Sequence, residues 1–108
     1  MATIEEKIRQ LQLEEQRLQQ LLLQKQALQA QTMEIASALS ELKNAQEAYK
    51  IIGNIMVAAK KEELDKDLGS RKEAVELRIA SLARQETSVR EKASQLQKEI
   101  VGEMKNDG

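Results

Sequence analysis

Glutamate recurs along both halves of this 108-residue sequence, and a pair of carboxylates is the arrangement that general acid–base chemistry uses. Such a pair works only where a pocket desolvates it and fixes its geometry. Here the glutamates alternate with lysines, arginines and glutamines in long charged runs, so they read as the solvated faces of helices. Nucleophilic and metal chemistry have less support still. The chain has no cysteine and no histidine, which removes thiolates, disulfides, zinc ligation by sulfur or imidazole, and the commonest general base. Gly53-Asn54 lacks the further glycines and the lysine of a phosphate-binding loop, and it precedes a strand pattern instead of a helix. The expectation is a protein with no catalytic residue, no metal site and no cofactor.

Composition narrows the remaining classes. Basic and acidic residues number 17 and 18 and are interspersed throughout, so the net charge of −1 predicts no strong attraction to nucleic acid or to an anionic membrane. No apolar run approaches the roughly 20 residues that span a bilayer, and no basic-then-apolar leader opens the sequence. A cytoplasmic location is therefore expected. With 32% charged residues and one aromatic, Tyr49, there is little material for a globular core. The absence of proline permits very long helices.

The first arm, about residues 3–47, repeats apolar residues at steps of three and four. Taking positions 4, 7, 11, 14, 18, 21, 25, 28, 32, 35, 39, 42, 46 and 49 as a seam, nine of fourteen are apolar: Ile4, Leu11, Leu18, Leu21, Leu28, Ile35, Leu39, Leu42 and Tyr49. Lys7, Glu14, Lys25, Thr32 and Gln46 are the exceptions. A period of 3.5 keeps one stripe of a helix against a partner over many turns, which is the signature of a left-handed coiled coil. Ile8 and Leu22 lie beside the seam and widen it. Thr3 followed by Glu6 has capping-box spacing, so the helix is expected to start there.

The second arm carries a matching seam at 65, 68, 72, 75, 79, 82, 86, 89, 93, 96, 100 and 103, apolar at eight of twelve positions. Gly69 interrupts it, and Ser70 with Glu73 repeats the capping spacing. This predicts a short helix over 61–68, a break or kink, and the main helix over 70–105; one continuous helix bent at Gly69 is the competing reading. Two arms of about 40 residues on either side of a reversing turn imply an antiparallel two-helix hairpin, each arm about 60 Å long.

Between the arms the helical period stops. Ile51, Ile52, Ile55, Met56 and Val57 place five large aliphatic side chains in seven positions, and Gly53-Asn54 supplies two residues that tolerate positive φ. This pattern predicts a β-hairpin over 48–59, with a loose apolar loop as the alternative. A lone two-stranded hairpin is marginal in water and leaves its outer edges unpaired. The strands that complete it must come from other chains, most simply by closure into an intersubunit β-barrel. The fold class so read is mainly α: an antiparallel coiled-coil hairpin with one central β-hairpin that joins such a barrel.

The run Tyr49-Lys50-Ile51-Ile52-Gly53-Asn54-Ile55-Met56-Val57, followed by Lys61-Glu62-Glu63-Leu64 and flanked by arms of this size, resembles the β-class subunit of prefoldin, particularly its archaeal form. The resemblance covers essentially the whole chain, and its specific part is the central Tyr-Lys/Arg-x-x-Gly-x-x-x-Val stretch. It implies a hexamer of two α-class and four β-class subunits with a double β-barrel body and six coiled-coil tentacles. It further implies an ATP-independent chaperone that holds unfolded client polypeptides at the tentacle tips and passes them to a group II chaperonin.

Carried onto this sequence, the client-binding tips are Ile4, Ile8 and Leu11 with Ile100, Val101 and Met104. Of these, Ile8, Val101 and Met104 lie off the seam, whereas Ile4, Leu11 and Ile100 also serve to finish it. Tyr49, Ile51, Ile52, Gly53, Asn54, Ile55, Met56 and Val57 form the assembly hairpin. Glu5, Glu6, Lys7, Lys98, Glu99, Glu103 and Lys105 either dock on a chaperonin or form a solvated face. The reading from another functional class is a structural coiled-coil scaffold with no affinity for unfolded chains; a coiled-coil nucleic-acid binder ranks third.

Overall fold

The structure, a computed structural model, describes residues 2–106. The elements in chain order are helix α1 (Ile4–Asn44), strands β1 (Ala48–Ile52) and β2 (Ile55–Ala59), and helix α2 (Lys61–Asn106). Contacts group the chain into two units: Met1–Gln26 with Ala80–Gly108, and Ala27–Ile79.

α1 starts where its capping residue places it. The Glu6 amide donates to Thr3 Oγ1 at 3.2 Å, and the Lys7 amide donates to the Thr3 carbonyl at 3.1 Å. Glu5 and Glu6 in the first turn and Lys43 in the last oppose the helix dipole at either end. The helix stops at Asn44, three residues short of the expected end.

The seam inferred from the sequence is the stripe that the fold shields. All twelve of its positions within α1, from Ile4 to Leu42, are buried or half-buried, and Leu22 is the one other α1 residue that is not exposed. Ile8, expected to widen the stripe, is 40% exposed. In α2 eleven of the twelve seam positions are shielded; Asp65 faces solvent, and Leu64 takes its place. The five most buried side chains, Leu21, Ile35, Leu82, Val89 and Ile100, all lie on the seam.

The expected helix boundary at Gly69-Ser70, between 61–68 and 70–105, is corrected by the structure: α2 runs without interruption from Lys61 to Asn106. The shielded stripe there steps 61, 64, 68, 72, 75, which adds one four-residue step to the regular alternation. An insertion of four is absorbed by local unwinding of the supercoil, not by a break. Breaking the helix would also orphan backbone groups at two new ends, a larger penalty than the roughly 1 kcal/mol of one glycine. Ser70 therefore caps nothing.

The β-hairpin is antiparallel, pairing Ala48 with Ala59, Tyr49 with Ala58, Lys50 with Val57, Ile51 with Met56 and Ile52 with Ile55. The two-residue turn needs left-handed backbone at Gly53 alone (φ +60°); Asn54 keeps a negative φ. Glycine at the first turn position with an ordinary second residue is the pattern of a type II′ turn, whose twist matches that of the strands.

Candidate functional site

Three groups of residues stand out: the cross-helix polar pairs, the residues near the ends of the two helices and the hairpin.

Within the unit built from residues up to Gln26 and from Ala80 on, lysines on α1 meet glutamates on α2. Lys7 contacts Glu103 and lies 3.8 Å from Glu99, and Lys25 Nζ is 2.6 Å from Glu86 Oε2. Moving from Lys7 to Lys25 along α1 corresponds to moving from Glu103 back to Glu86 along α2, so the helices are antiparallel here. Each of these four residues is a polar exception in an otherwise apolar seam, and opposite charges face one another at both places. The hydrogen bond to Glu103 raises the Lys7 pKa, against a smaller opposing effect of burial. The hydrogen bonds from Lys25 and then from Arg90 hold the Glu86 carboxyl below its ordinary value. Arg90 reaches Glu86 Oε1 through Nη2 at 3.0 Å and Nε at 3.2 Å.

These pairs change the reading of the terminal charges. Of the residues that could dock a chaperonin, Lys7, Glu99 and Glu103 are engaged with each other across the seam. In the sequence Lys7 and Lys25 stand out only as imperfections of an apolar stripe. The signal is present nonetheless, because the polar exceptions on the first arm include lysines and those on the second include glutamates.

The six expected tip residues divide by exposure. Ile8, Val101 and Met104 are exposed, at 40%, 50% and 62%. Ile4 and Leu11 are half-buried, and Ile100 is buried on the seam. The off-seam residues thus offer apolar surface as the chain stands, while the seam residues offer theirs only if the helices part.

In the hairpin, cross-strand partners share a face, so Lys50, Ile52, Ile55 and Val57 lie on one side and Tyr49, Ile51 and Met56 on the other. Both faces are apolar and both are open: Ile51, Ile52, Ile55 and Met56 are each more than half exposed, and only Ala48 and Ala59 at the base are partly covered. The Tyr49 hydroxyl donates to Glu47 Oε2 at 2.7 Å, and that bond raises its pKa. A groove of about 750 Å³ lies under the hairpin, lined among others by Leu42, Tyr49, Ile52, Leu68 and Arg71. Its walls mix aliphatic side chains with charged ones, among them Glu41, Glu47, Asp67 and Arg71. No helix is long and apolar enough to cross a membrane, and no group of carboxylates that could hold a metal ion occurs, among the described residues.

The arrangement of two long helices around one hairpin has known counterparts. The chain resembles the prefoldin subunit beta of Archaeoglobus fulgidus, with 41% identity over 66 residues, covering 58% of this chain and 57% of that protein. It also resembles that of Sulfurisphaera tokodaii, with 39% identity over 66 residues, covering 61% of this chain and 53% of the other. The matched stretch therefore spans little more than half the length of these relatives. Among solved structures, the prefoldin beta subunit from Thermococcus strain KS-1 superposes with a TM-score of 0.85 at 30% identity, covering 90% of this chain and 88% of that one. The family profile described as prefoldin subunit matches residues 5–106. With a profile that spans nearly every described residue and a fold that superposes over most of its length, the chain belongs to the prefoldin subunit family.

Proposed function

We propose that this chain is a β-class subunit of an ATP-independent holdase, which assembles through its hairpin and binds non-native polypeptides with the free ends of its coiled coil. The observation that carries the reading is the distribution of exposed apolar surface. Along the helices the seam is covered, and apolar side chains remain accessible singly off it, at Leu13, Leu23, Met33 and Leu77 along their length and at Ile8, Val101 and Met104 near the ends. Dispersed apolar side chains of this kind attract an unfolded segment without offering a continuous patch that would aggregate. Met104 adds a flexible, polarizable side chain that adapts to many shapes.

The hairpin carries the assembly. Its two apolar faces and two unpaired edges require strands from other chains, and a closed barrel satisfies both demands. The partners in this reading are an α-class subunit and further β copies, two α with four β, and the recipient of the client is a group II chaperonin in the cytoplasm. Family membership and the similarity to archaeal beta subunits support it.

The test is aggregation of a denatured client, followed by light scattering, in the presence of the assembled complex and no nucleotide. Suppression is expected. Replacing Ile8, Val101 and Met104 together by serine should abolish it while the complex keeps its mass. The alternative of a pure scaffold draws support from the burial of Ile100 and partial burial of Ile4 and Leu11, which finish the seam. Deleting residues 1–11 and 100–108 separates the two: a scaffold keeps its activity, and a holdase loses it with assembly intact.

A further inference from the structure

Glu14 occupies a seam position between Leu11 and Leu18, and it differs from the other charged residues of that stripe. Lys7 and Lys25 each meet a glutamate on α2. Glu14 meets no such partner: its Oε2 is buried and finds no hydrogen-bond donor among the described residues. The register explains why. Lys7 faces Glu103 and Lys25 faces Glu86, so seven residues along α1 from Lys7 correspond to about seven back from Glu103, near Leu96. The stretch Ala93-Ser94-Gln95-Leu96-Gln97 contains no charged residue, and Gln95 already donates to Glu99.

A carboxylate oxygen shielded from water without a hydrogen bond loses hydration and gains no bond in return, and separating the helices at that point returns it to water. On one side of Glu14 lie Leu18, Leu21, Leu82 and Val89 with the Lys25–Glu86 pair; on the other lie Ile4, Leu11 and Ile100 with the Lys7 cluster, and half-buried Leu96 stands about opposite Glu14 itself. The shorter side is held by far less buried apolar surface.

We propose that Glu14 is a built-in joint at which residues 4–14 and 96–106 separate from each other as a unit while the remainder of the coiled coil stays zipped. Opening there releases Ile4, Leu11 and Ile100 and adds them to the surface already offered by Ile8, Val101 and Met104. The use of that surface for clients rests on the holdase reading; the opening itself does not.

Hydrogen exchange on the assembled complex, resolved by residue, tests the joint. In the wild type, protection should step up between Glu14 and Leu18 on α1 and between Leu96 and Ala93 on α2. Glu14→Leu should slow exchange of the amides from Ile8 to Glu14 about 10-fold, the factor corresponding to about 1.4 kcal/mol. Glu14→Gln should slow it by less, and Glu15→Leu, at the exposed neighbouring position, should change it less than twofold. Equal exchange in wild type and Glu14→Leu, or an equal effect of Glu15→Leu, overturns the joint. Client holding is then compared in the same samples. Reduced holding by Glu14→Leu supports the use of the opening, and unchanged holding removes that use. If the wild-type complex holds no client at all, the holdase reading fails while the exchange data still decide the joint.

Discussion

Aliphatic side chains meet opposite fates in two regions of this protein. In the unit that includes the N-terminal part of α1 and the C-terminal part of α2, Leu21, Leu82, Val89 and Ile100 are buried. In the hairpin, Ile51, Ile52, Ile55 and Met56 stand in solvent. The difference lies in periodicity. A 3.5-residue repeat gathers apolar residues on one stripe, and a second helix of the same chain carries a stripe to match. In a strand successive side chains alternate faces, so the uninterrupted apolar runs Ile51-Ile52 and Ile55-Met56-Val57 put apolar residues on both faces of the hairpin. The helices cover their apolar stripe within the chain, and the hairpin leaves its apolar side chains exposed.

The sharpest way to break this comparison is at the hairpin. Placing charges on both of its faces, with Ile51→Glu and Ile55→Lys, should abolish assembly while far-ultraviolet circular dichroism still reports two helices. Native mass should fall to that of the free subunit. If assembly survives, the exposed faces are not the interface.

A core truncation in the other region should act in the reverse sense. Leu82 is 2% exposed, and Leu82→Ala should destabilise the coiled coil by about 2–3 kcal/mol, the low end for buried leucines because a two-helix seam relaxes easily. The complex should keep its mass, with the loss read from urea denaturation.

Two glycines sharpen the contrast at smaller magnitude. Gly53 has φ +60°, a conformation costly for residues with a Cβ, so Gly53→Ala should weaken the hairpin and hence assembly by about 1–2 kcal/mol. Gly69 lies in continuous helix, and a Cβ at that position would meet no atom within 4 Å, so Gly69→Ala should stabilise α2 by about 1 kcal/mol. The same substitution should therefore have opposite signs, checked by thermal melting for Gly69→Ala and by the concentration dependence of assembly for Gly53→Ala.

The smallest effect belongs to pH. Because Lys25 and Arg90 lower the Glu86 pKa, their contribution is present above the ordinary glutamate range and is lost as pH falls through the lowered value. Because Glu103 raises the Lys7 pKa, that contribution is present below the ordinary lysine range and is lost as pH rises through the raised value. Both pairs are partly solvated, so each should shift the melting temperature by only a few degrees. Replacing Lys25 and Glu86 together by leucine should remove the acid-side loss without lowering stability at neutral pH.

Much of this architecture is legible in the residues. The seam on α1 follows from spacing alone, because a helix has one period and the apolar residues keep to it. The hairpin follows from β-branched residues flanking a turn that only glycine fits well. The second arm is less legible around Gly69: local signals, a glycine followed by a serine and then a glutamate, indicate a helix start. Tertiary packing overrules them because Leu64, Leu68 and Val75 continue a single shielded stripe through that point. The tip residues are legible as apolar but not as accessible, since exposure depends on where the other helix lies.

The order of residues alone determined that there would be two long amphipathic helices, where the first begins, and which two turn residues reverse the chain. Those features depend on neighbours a few positions away. Only the folded arrangement decided that Lys7 and Lys25 would find Glu103 and Glu86, that Glu14 would be left without a donor, and that Ile100 would be covered while Val101 beside it stays open. Each of those outcomes depends on the register between two helices whose contacting residues lie 61 to 96 positions apart in the chain, a distance that no local periodicity can specify.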